Sequence, residues 1–363
     1  MDTTHGSING FAAKQRDFYR GCGLMKVALV SSAWPPVRCG VGDYTAQLAD
    51  ALEGAGVEVI RFGQQARQWD TLASFEVRSQ LLALQPDIIH VQYPSTGYRR
   101  SLLPALLPLL GSRPPVVVTL HEFSIFRFYR WPWFAPFAYA AAACVFTSAV
   151  ERDVFVRRMP RMRARRAVIP IGSNVPRGAP TLRDPRSVCY FGLVMPGKGV
   201  EAFLDLAESL HGKPGGWRAI LIGAVAVGSE AYARGIVDRA ASLQVAVHIG
   251  LPAVDVANLL QGISYAYLPG PGGITERRGA VLAALENGVQ VVGPLGEGAP
   301  DWLRARVWPA RSPAQAVDQL AQPNGRLVPN AETQAPSSVR WDAIAQQHKA
   351  LYDKISSQVL QDA

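Results

Sequence analysis

The stretch with the most chemical potential runs from Leu268 to Val292, LPGPGGITERRGAVLAALENGVQVV. An apolar run ending at Leu268 reads as the end of a strand. Glycines and prolines then make a turn, and Glu276, Arg277 and Arg278 open a helix that Gly288 ends. A helix start presents unpaired N–H groups, and two guanidinium groups lie beside it. Together they make an anion site at the carboxyl edge of a parallel sheet. By itself the stretch is equally compatible with a glycine loop followed by a solvated charge cluster.

Lys198 stands between Gly197 and Gly199 in the loop Gly192–Gly199, at another strand-to-helix crossing. A lysine there meets a phosphate as a compact point charge, although the pattern is too short for a Walker A loop. Near the start of the chain, Arg38, Cys39, Gly40, Val41, Gly42 and Asp43 lead from an apolar strand into a helix. Gly40 and Gly42 admit close backbone approach, Asp43 can cap the helix, and Arg38 can supply charge. The very apolar Val116–Leu120 is followed at once by His121 and Glu122. A polar pair just past a buried parallel strand sits where ligands bind in open α/β sheets. His90, Gln92 and Tyr93 end another strand, with His90 the weaker functional candidate because a core histidine explains it as well.

The elements that position these residues alternate strand and helix through two similar halves, joined by a linker at 176–186. The 363 residues suffice for two domains. The expected division is a flexible extension at 1–24, a Rossmann-like domain at 25–180, a second at 181–335, and a C-terminal helix at 336–363. That helix carries Trp341, Ile344, Leu351 and Ile355 along one side. Hydrophobic residues make up 48% and charged residues 18% of the chain, a globular balance. There is no apolar run of membrane-spanning length and no evident signal peptide. Four scattered cysteines form neither a metal pattern nor a disulfide framework, which fits a reducing cytoplasm.

The net charge of +9 permits nucleic acid, anionic lipid or phosphorylated ligands, but no nucleic-acid-binding signature accompanies it. Two features carry much of the basic and aromatic character. Residues 123–139 are rich in aromatics, interrupted by Arg127 and Arg130. Arginines 157, 158, 161, 163, 165 and 166 form a dense cluster. The aromatic stretch reads as an acceptor surface, a membrane contact, or a lid packed between domains. Pro132 and Pro136 argue against a long regular helix.

The order of these motifs resembles the retaining GT-B glycosyltransferases of family 4 over roughly residues 25–360. The segments that carry the resemblance are RCGVGDYT, HEF at 121–123, PIGSN at 170–174 and FGLVMPGKG. The resemblance implies a GT-B fold of two Rossmann-like domains facing a central cleft, with the last helix crossing back to the first domain. It implies transfer of a sugar from a nucleoside-diphosphate sugar to a hydroxyl of a glycan, glycolipid or small-molecule acceptor, as in polysaccharide biosynthesis. His121, Gly42, Lys198 and Glu276 would be catalytic. Gly40, Gly42, Gly192, Lys198, Gly273, Ile274, Thr275, Glu276, Arg277 and Arg278 would contact the donor. Arg38, Asp43, Tyr93, Glu122 and Arg127 would contact the acceptor. No tightly bound cofactor, required divalent metal or specific nucleic acid is expected. The chain would be a cytoplasmic monomer or homodimer, with peripheral contact at the inner membrane face.

Two departures bear on the site. The family often has arginine where this chain has Leu193. Its two glutamates, eight residues apart, align with Thr275 and Ala283. Arg277 or Arg278 could restore the charge lost at Leu193, and Glu276 could hold a sugar hydroxyl. The displaced glutamates leave two alternatives: a GT-B sugar-nucleotide epimerase or hydrolase, and a noncatalytic sugar-nucleotide-binding or scaffold protein.

Overall fold

The computed structural model describes residues 23–37, 39–63, 69–99, 101–211, 213, 216–321 and 334–361. The chain divides into two compact units. One takes the residues through Val145, together with Val156–Ala167 and Ala345–Ala363; the other takes Phe146–Phe155 and Val168–Ile344. Most of the proposed N-terminal extension, and Arg38, lie outside the described residues.

The first unit is built on β1 (Lys26–Val30), β2 (Glu58–Phe62), β3 (Ile88–Tyr93), β4 (Val116–Leu120), β5 (Ala143–Phe146) and β6 (Arg165–Val168), in spatial order β2-β1-β3-β4-β5-β6. Pairing is parallel between β1 and β2, β1 and β3, and β3 and β4. A parallel sheet is covered on both faces, so its central strands are buried throughout rather than at alternate positions. Accordingly, every residue of β3 and β4 is buried. Helix α1 (Gly40–Gly54) returns the chain from β1 to β2 and buries Tyr44, Leu48, Ala49 and Leu52. It starts at Gly40, so Asp43 lies inside the first turn; the capping position belongs to Cys39. Gly42 is a glycine for packing: a Cβ there would stand 2.7 Å from the Ala33 carbonyl oxygen.

Helices α2 (Ser74–Ala83), α3 (Leu103–Leu106), α4 (Ala135–Ala140) and α5 (Ala149–Arg158) complete the first half of the chain. The aromatic stretch forms a 3-10 turn at Phe123–Ile125, a 3-10 segment at Phe128–Phe134 and the short α4. Its prolines prevent one regular helix. The last strand of this half covers residues 165–168, slightly earlier than the apolar run 168–171 suggests, because pairing rather than hydrophobicity sets its limits.

The second unit contains β7 (Asp184–Val194), α6 (Val200–His211), β8 (Arg218–Val225), α7 (Glu230–Ser242), β9 (Ala246–Ile249), α8 (Ala253–Gln261), β10 (Ile263–Tyr267), α9 (Gly279–Glu286), β11 (Gln290–Gly293), α10 (Asp301–Arg304), β12 (Val307–Pro309) and α11 (Pro313–Leu320). The strands are parallel throughout, in the order β12-β11-β10-β7-β8-β9. Counted from β7, this is the doubly wound order whose direction reverses between the first and fourth strands. One face buries Phe203, Leu206 and Leu210 of α6; the other buries Leu260, Val281 and Leu285.

Helix α12 (Trp341–Gln361) starts in the second unit, where the Trp341 indole donates to the Ser173 carbonyl at 2.7 Å. Gly172 makes room for that ring, since a Cβ would stand 2.7 Å from it. From Ala345 onward the helix belongs to the first unit, where His348, Tyr352 and Ile355 are buried.

Tyr352 couples this helix to the sheet through both packing and a hydrogen bond. In urea denaturation, Tyr352→Phe keeps the ring and should cost about 1 kcal/mol, the value of one hydrogen bond. Tyr352→Ala should cost about 3–5 kcal/mol, the range for deleting a buried aromatic.

Candidate functional site

In the second unit a cavity of about 490 Å³ opens at the carboxyl ends of the strands. It lies at the topological switch point, because the loops after β7 and β10 both line it. The β7 side contributes Gly192, Leu193 and Lys198; the β10 side contributes Gly270, Arg278 and the start of α9. Ala224 and Leu251 add apolar wall, and Asn174 brings a buried Oδ1 that has no hydrogen-bond partner among the described residues.

Local geometry explains how the two cations reach one space. Gly199 takes φ +87°, and a Cβ there would stand 2.9 Å from Pro269 Cγ, so the Lys198 loop can lie directly on the 269–270 turn. The Tyr190 hydroxyl faces the carbonyls of Leu193 at 3.1 Å and Lys198 at 3.4 Å, and its proton ties the loop to the strand. Gly270 leaves room for Arg278, whose Nη1 would otherwise be 2.7 Å from a Cβ. Arg278 Nη2 donates to the Pro271 carbonyl. Burial lowers its pKa from the ordinary value, as expected of a guanidinium partly withdrawn from water. The first turn of α9 has N–H groups without intrahelical acceptors and lines the same cavity. Leu193 is 47% exposed at the rim and adds no charge.

The adjacent arginine does something else. Helix α9 starts at Gly279, three residues later than the sequence suggests, so Glu276, Arg277 and Arg278 belong to the preceding turn. In that non-helical backbone, neighbouring side chains diverge. Arg277 forms an ion pair with Glu151 of α5, whose side chain is fully buried. Ile274 is core, with no exposed surface. Gly273, Thr275 and Glu276 do not line the cavity. A Cβ on Gly273 would stand 2.5 Å from Gly296 N, so that glycine lets two loops meet. Glu276 is half-buried, and burial raises its carboxyl pKa.

In the first unit, His121 sits immediately after β4 and is 7% exposed. Its Nε2 donates to Gln92 Oε1 at 2.9 Å. The Gln92 amide in turn faces His90 Nε2 at 3.3 Å, and the Thr119 hydroxyl faces that nitrogen at 2.8 Å. With two donors on Nε2, His90 carries its proton on Nδ1 and gives it to the Tyr352 hydroxyl at 2.6 Å. The Tyr44 ring packs edge-on against His121 at 4.8 Å between centroids, and its hydroxyl lies 3.3 Å from His348 Nε2. Sequence reasoning weighs His90 as a core histidine, and it is one: buried on β3 and linked to His121 through Gln92. His348 is not foreseen, because its place on a helical stripe shows only once α12 is docked.

Burial pushes His121 and His348 down to about 3. It also holds His90 well below the usual imidazole range, assisted by the two neighbouring histidines. All three are therefore neutral at pH 7. Tyr93 is buried among Tyr98, Phe134 and Phe137. Glu122 and Arg127 face solvent, while Asp43 is half-buried, with its pKa raised by burial. Gly40 is exposed, with open space where a Cβ would be. Among the described residues, no group of His, Cys, Asp or Glu is placed to hold a metal ion, and no helix is long and apolar enough to cross a membrane.

Residues 56–176 match the family model Glycosyltransferase Family 4. No curated protein sequence matches the chain. Among solved structures, sucrose-phosphate synthase from Thermosynechococcus elongatus is similar with a TM-score of 0.65 and 16% identity, over 92% of this chain and 100% of that one. The catalytic domain of starch synthase IV from Arabidopsis thaliana, bound to ADP and acarbose, is similar with a TM-score of 0.60 and 12% identity, over 92% and 100%. Anabaena HepE in complex with UDP-glucose gives 0.56 and 16%, over 94% and 100%. These likenesses bear out the expected GT-B fold.

Two outcomes follow from the buried charges. A histidine with a folded pKa below its unfolded value contributes stability above about pH 6.5, and that contribution is lost as pH falls. Urea denaturation between pH 7 and 5 should therefore show stability falling on acidification. His348→Asn should lessen the slope by up to about 1.4 kcal/mol per pH unit. Arg277→Ala strips the buried Glu151 of its guanidinium. It should lower stability by about 3 kcal/mol, the low end for removing one partner of a buried pair, because Arg277 itself is partly exposed.

Proposed function

We propose that this GT-B chain, related to glycosyltransferase family 4, moves a sugar from a nucleoside-diphosphate sugar to an acceptor hydroxyl with retention of anomeric configuration. The convergence of Lys198, Arg278 and the α9 N-terminus on one cavity carries the reading. A diphosphate leaving the anomeric carbon gains negative charge, and oriented cations and N–H groups stabilise that charge in the transition state. Lys198 supplies a mobile ammonium, whereas Arg278 supplies a planar guanidinium already oriented by Pro271. Arg278 thus provides the cation absent at Leu193. The apolar wall of Ala224 and Leu251 suits a flat nucleobase, and Asn174 Oδ1 can accept from a ligand O–H or N–H.

In the reaction, the bond from the anomeric carbon to the diphosphate oxygen breaks. The acceptor oxygen bonds to the same face of that carbon, and its proton passes to the departing phosphate. This route uses no carboxylate nucleophile. The solved structures of similar fold that hold UDP-glucose or ADP support a nucleoside-diphosphate sugar as donor. A glycan, glycolipid or small molecule bearing a free hydroxyl is the acceptor class.

Calorimetric titration with a panel of nucleoside diphosphates and their sugars tests this reading. Lys198→Ala and Arg278→Ala should each weaken binding of the preferred nucleotide about 10- to 100-fold, the range of a charge-assisted hydrogen bond. Unchanged affinity in Arg278→Ala would remove that residue from the site. Binding of no nucleotide by the wild-type chain would overturn the reading.

A further inference from the structure

The cavity leaves the aromatic stretch and the arginine cluster without a role, and both belong to the first unit. They form one surface. The Arg158 guanidinium lies 4.3 Å from the Trp131 ring centroid, and the backbone N–H groups of Arg163 and Ala164 donate to the Ala138 carbonyl at 2.9 and 3.0 Å. The loop after α5 is therefore laid along α4 and the segment before it.

The two kinds of side chain are sorted. Phe123, Phe134 and Phe137 turn inward, are fully buried, and anchor the segment; Phe134 and Phe137 pack on Tyr93. Ile125, Phe128 and Tyr129 turn outward, with Ile125 63% and Phe128 69% exposed. Internal packing accounts for the first set and leaves the second in water, where a cluster of large apolar groups is unfavourable unless something covers it. Arg127 lies over the Tyr129 ring, 5.8 Å from its centroid. Arg127, Arg157, Arg158, Arg161 and Arg163 are exposed, and Arg130 lies over Trp133 at 5.2 Å and Phe126 at 5.7 Å. Acidic residues are absent from residues 123–150 and from 154–183.

We infer that this face of the first unit docks on an anionic lipid bilayer. Exposed apolar and aromatic tips, with guanidinium groups stacked on neighbouring rings and exposed along the loop laid beside them, match an interface that is apolar below and negatively charged at its surface. Stacking on Trp131 and Trp133 holds the cations at the level of the rings, where headgroup phosphates would lie. Protruding tips separated by charges suit a fluid surface better than the flat, continuous apolar core of a protein interface. No step requires a sugar donor, so this inference stands or falls separately from the sugar-transfer reading.

Co-sedimentation of the full chain with vesicles tests it. Vesicles of phosphatidylglycerol and phosphatidylcholine at 30:70 should carry the protein down at low salt, with binding weakened at high salt; pure phosphatidylcholine should not. Arg157→Ser/Arg161→Ser/Arg163→Ser should weaken binding about a hundredfold, at about fivefold per arginine near the surface. Phe128→Ser/Tyr129→Ser should weaken binding about tenfold while keeping its salt dependence. Circular dichroism on both variants, which change only exposed side chains, checks that they fold. The inference is overturned if the wild-type chain stays in the supernatant with anionic vesicles, if folded variants bind as it does, if neutral vesicles bind equally well, or if single-stranded RNA displaces the protein from anionic vesicles at equal total charge.

Discussion

A parallel sheet must be covered on both faces, and each strand must be followed by a crossover that returns the chain to the same edge. That constraint organises both units. It buries the central strands from end to end, so that polar side chains within them, such as His90, Gln92 and Thr119, are hydrogen-bonded to one another, and it leaves the loops at their carboxyl ends open. In the second unit the order β12-β11-β10-β7-β8-β9 places the reversal between β7 and β10, so successive crossovers part there. The Lys198 loop and the Arg278 turn are far apart in sequence, yet they flank this gap because β7 and β10 are neighbours.

Charge is then distributed by local backbone. Arg277 and Arg278 are chemically identical and consecutive, but they occupy an extended turn. One completes a buried ion pair with Glu151, and the other enters the cavity beside Gly270. Had the helix begun at Glu276, the two would have been separated by one helical step of about 100°. The late start at Gly279 separates the cation of a buried ion pair from the cation that lines the cavity.

The first unit manages polarity in the opposite way. His90, His121 and His348 are held neutral by burial, and hydrogen bonds through Gln92, Thr119 and Tyr352 define the proton positions of His90 and His121. The network joins the ends of β3 and β4 to α12. The C-terminal helix therefore contributes to the environment of His121 although the two are far apart in sequence. Its Tyr352 ring is both core and hydrogen-bond partner.

Much of this was readable from the residues. Apolar runs bounded by glycine and proline identify the strands. Lys198 between glycines and His121 after β4 stand out because strand-end loops are local features. The helix start was misplaced because glutamate and arginine favour helices as readily as they occupy the turn before one. Separating the roles of Arg277 and Arg278 required Glu151, a partner 126 residues away that is buried when α5 folds into the second unit. Sequence determined the strand–helix alternation and the residue types at the loops, since these depend on short-range pattern and backbone preference. Tertiary structure alone decided which loops are neighbours, which arginine lines the cavity and which histidines are neutral, because strand order and burial arise from contacts between distant residues.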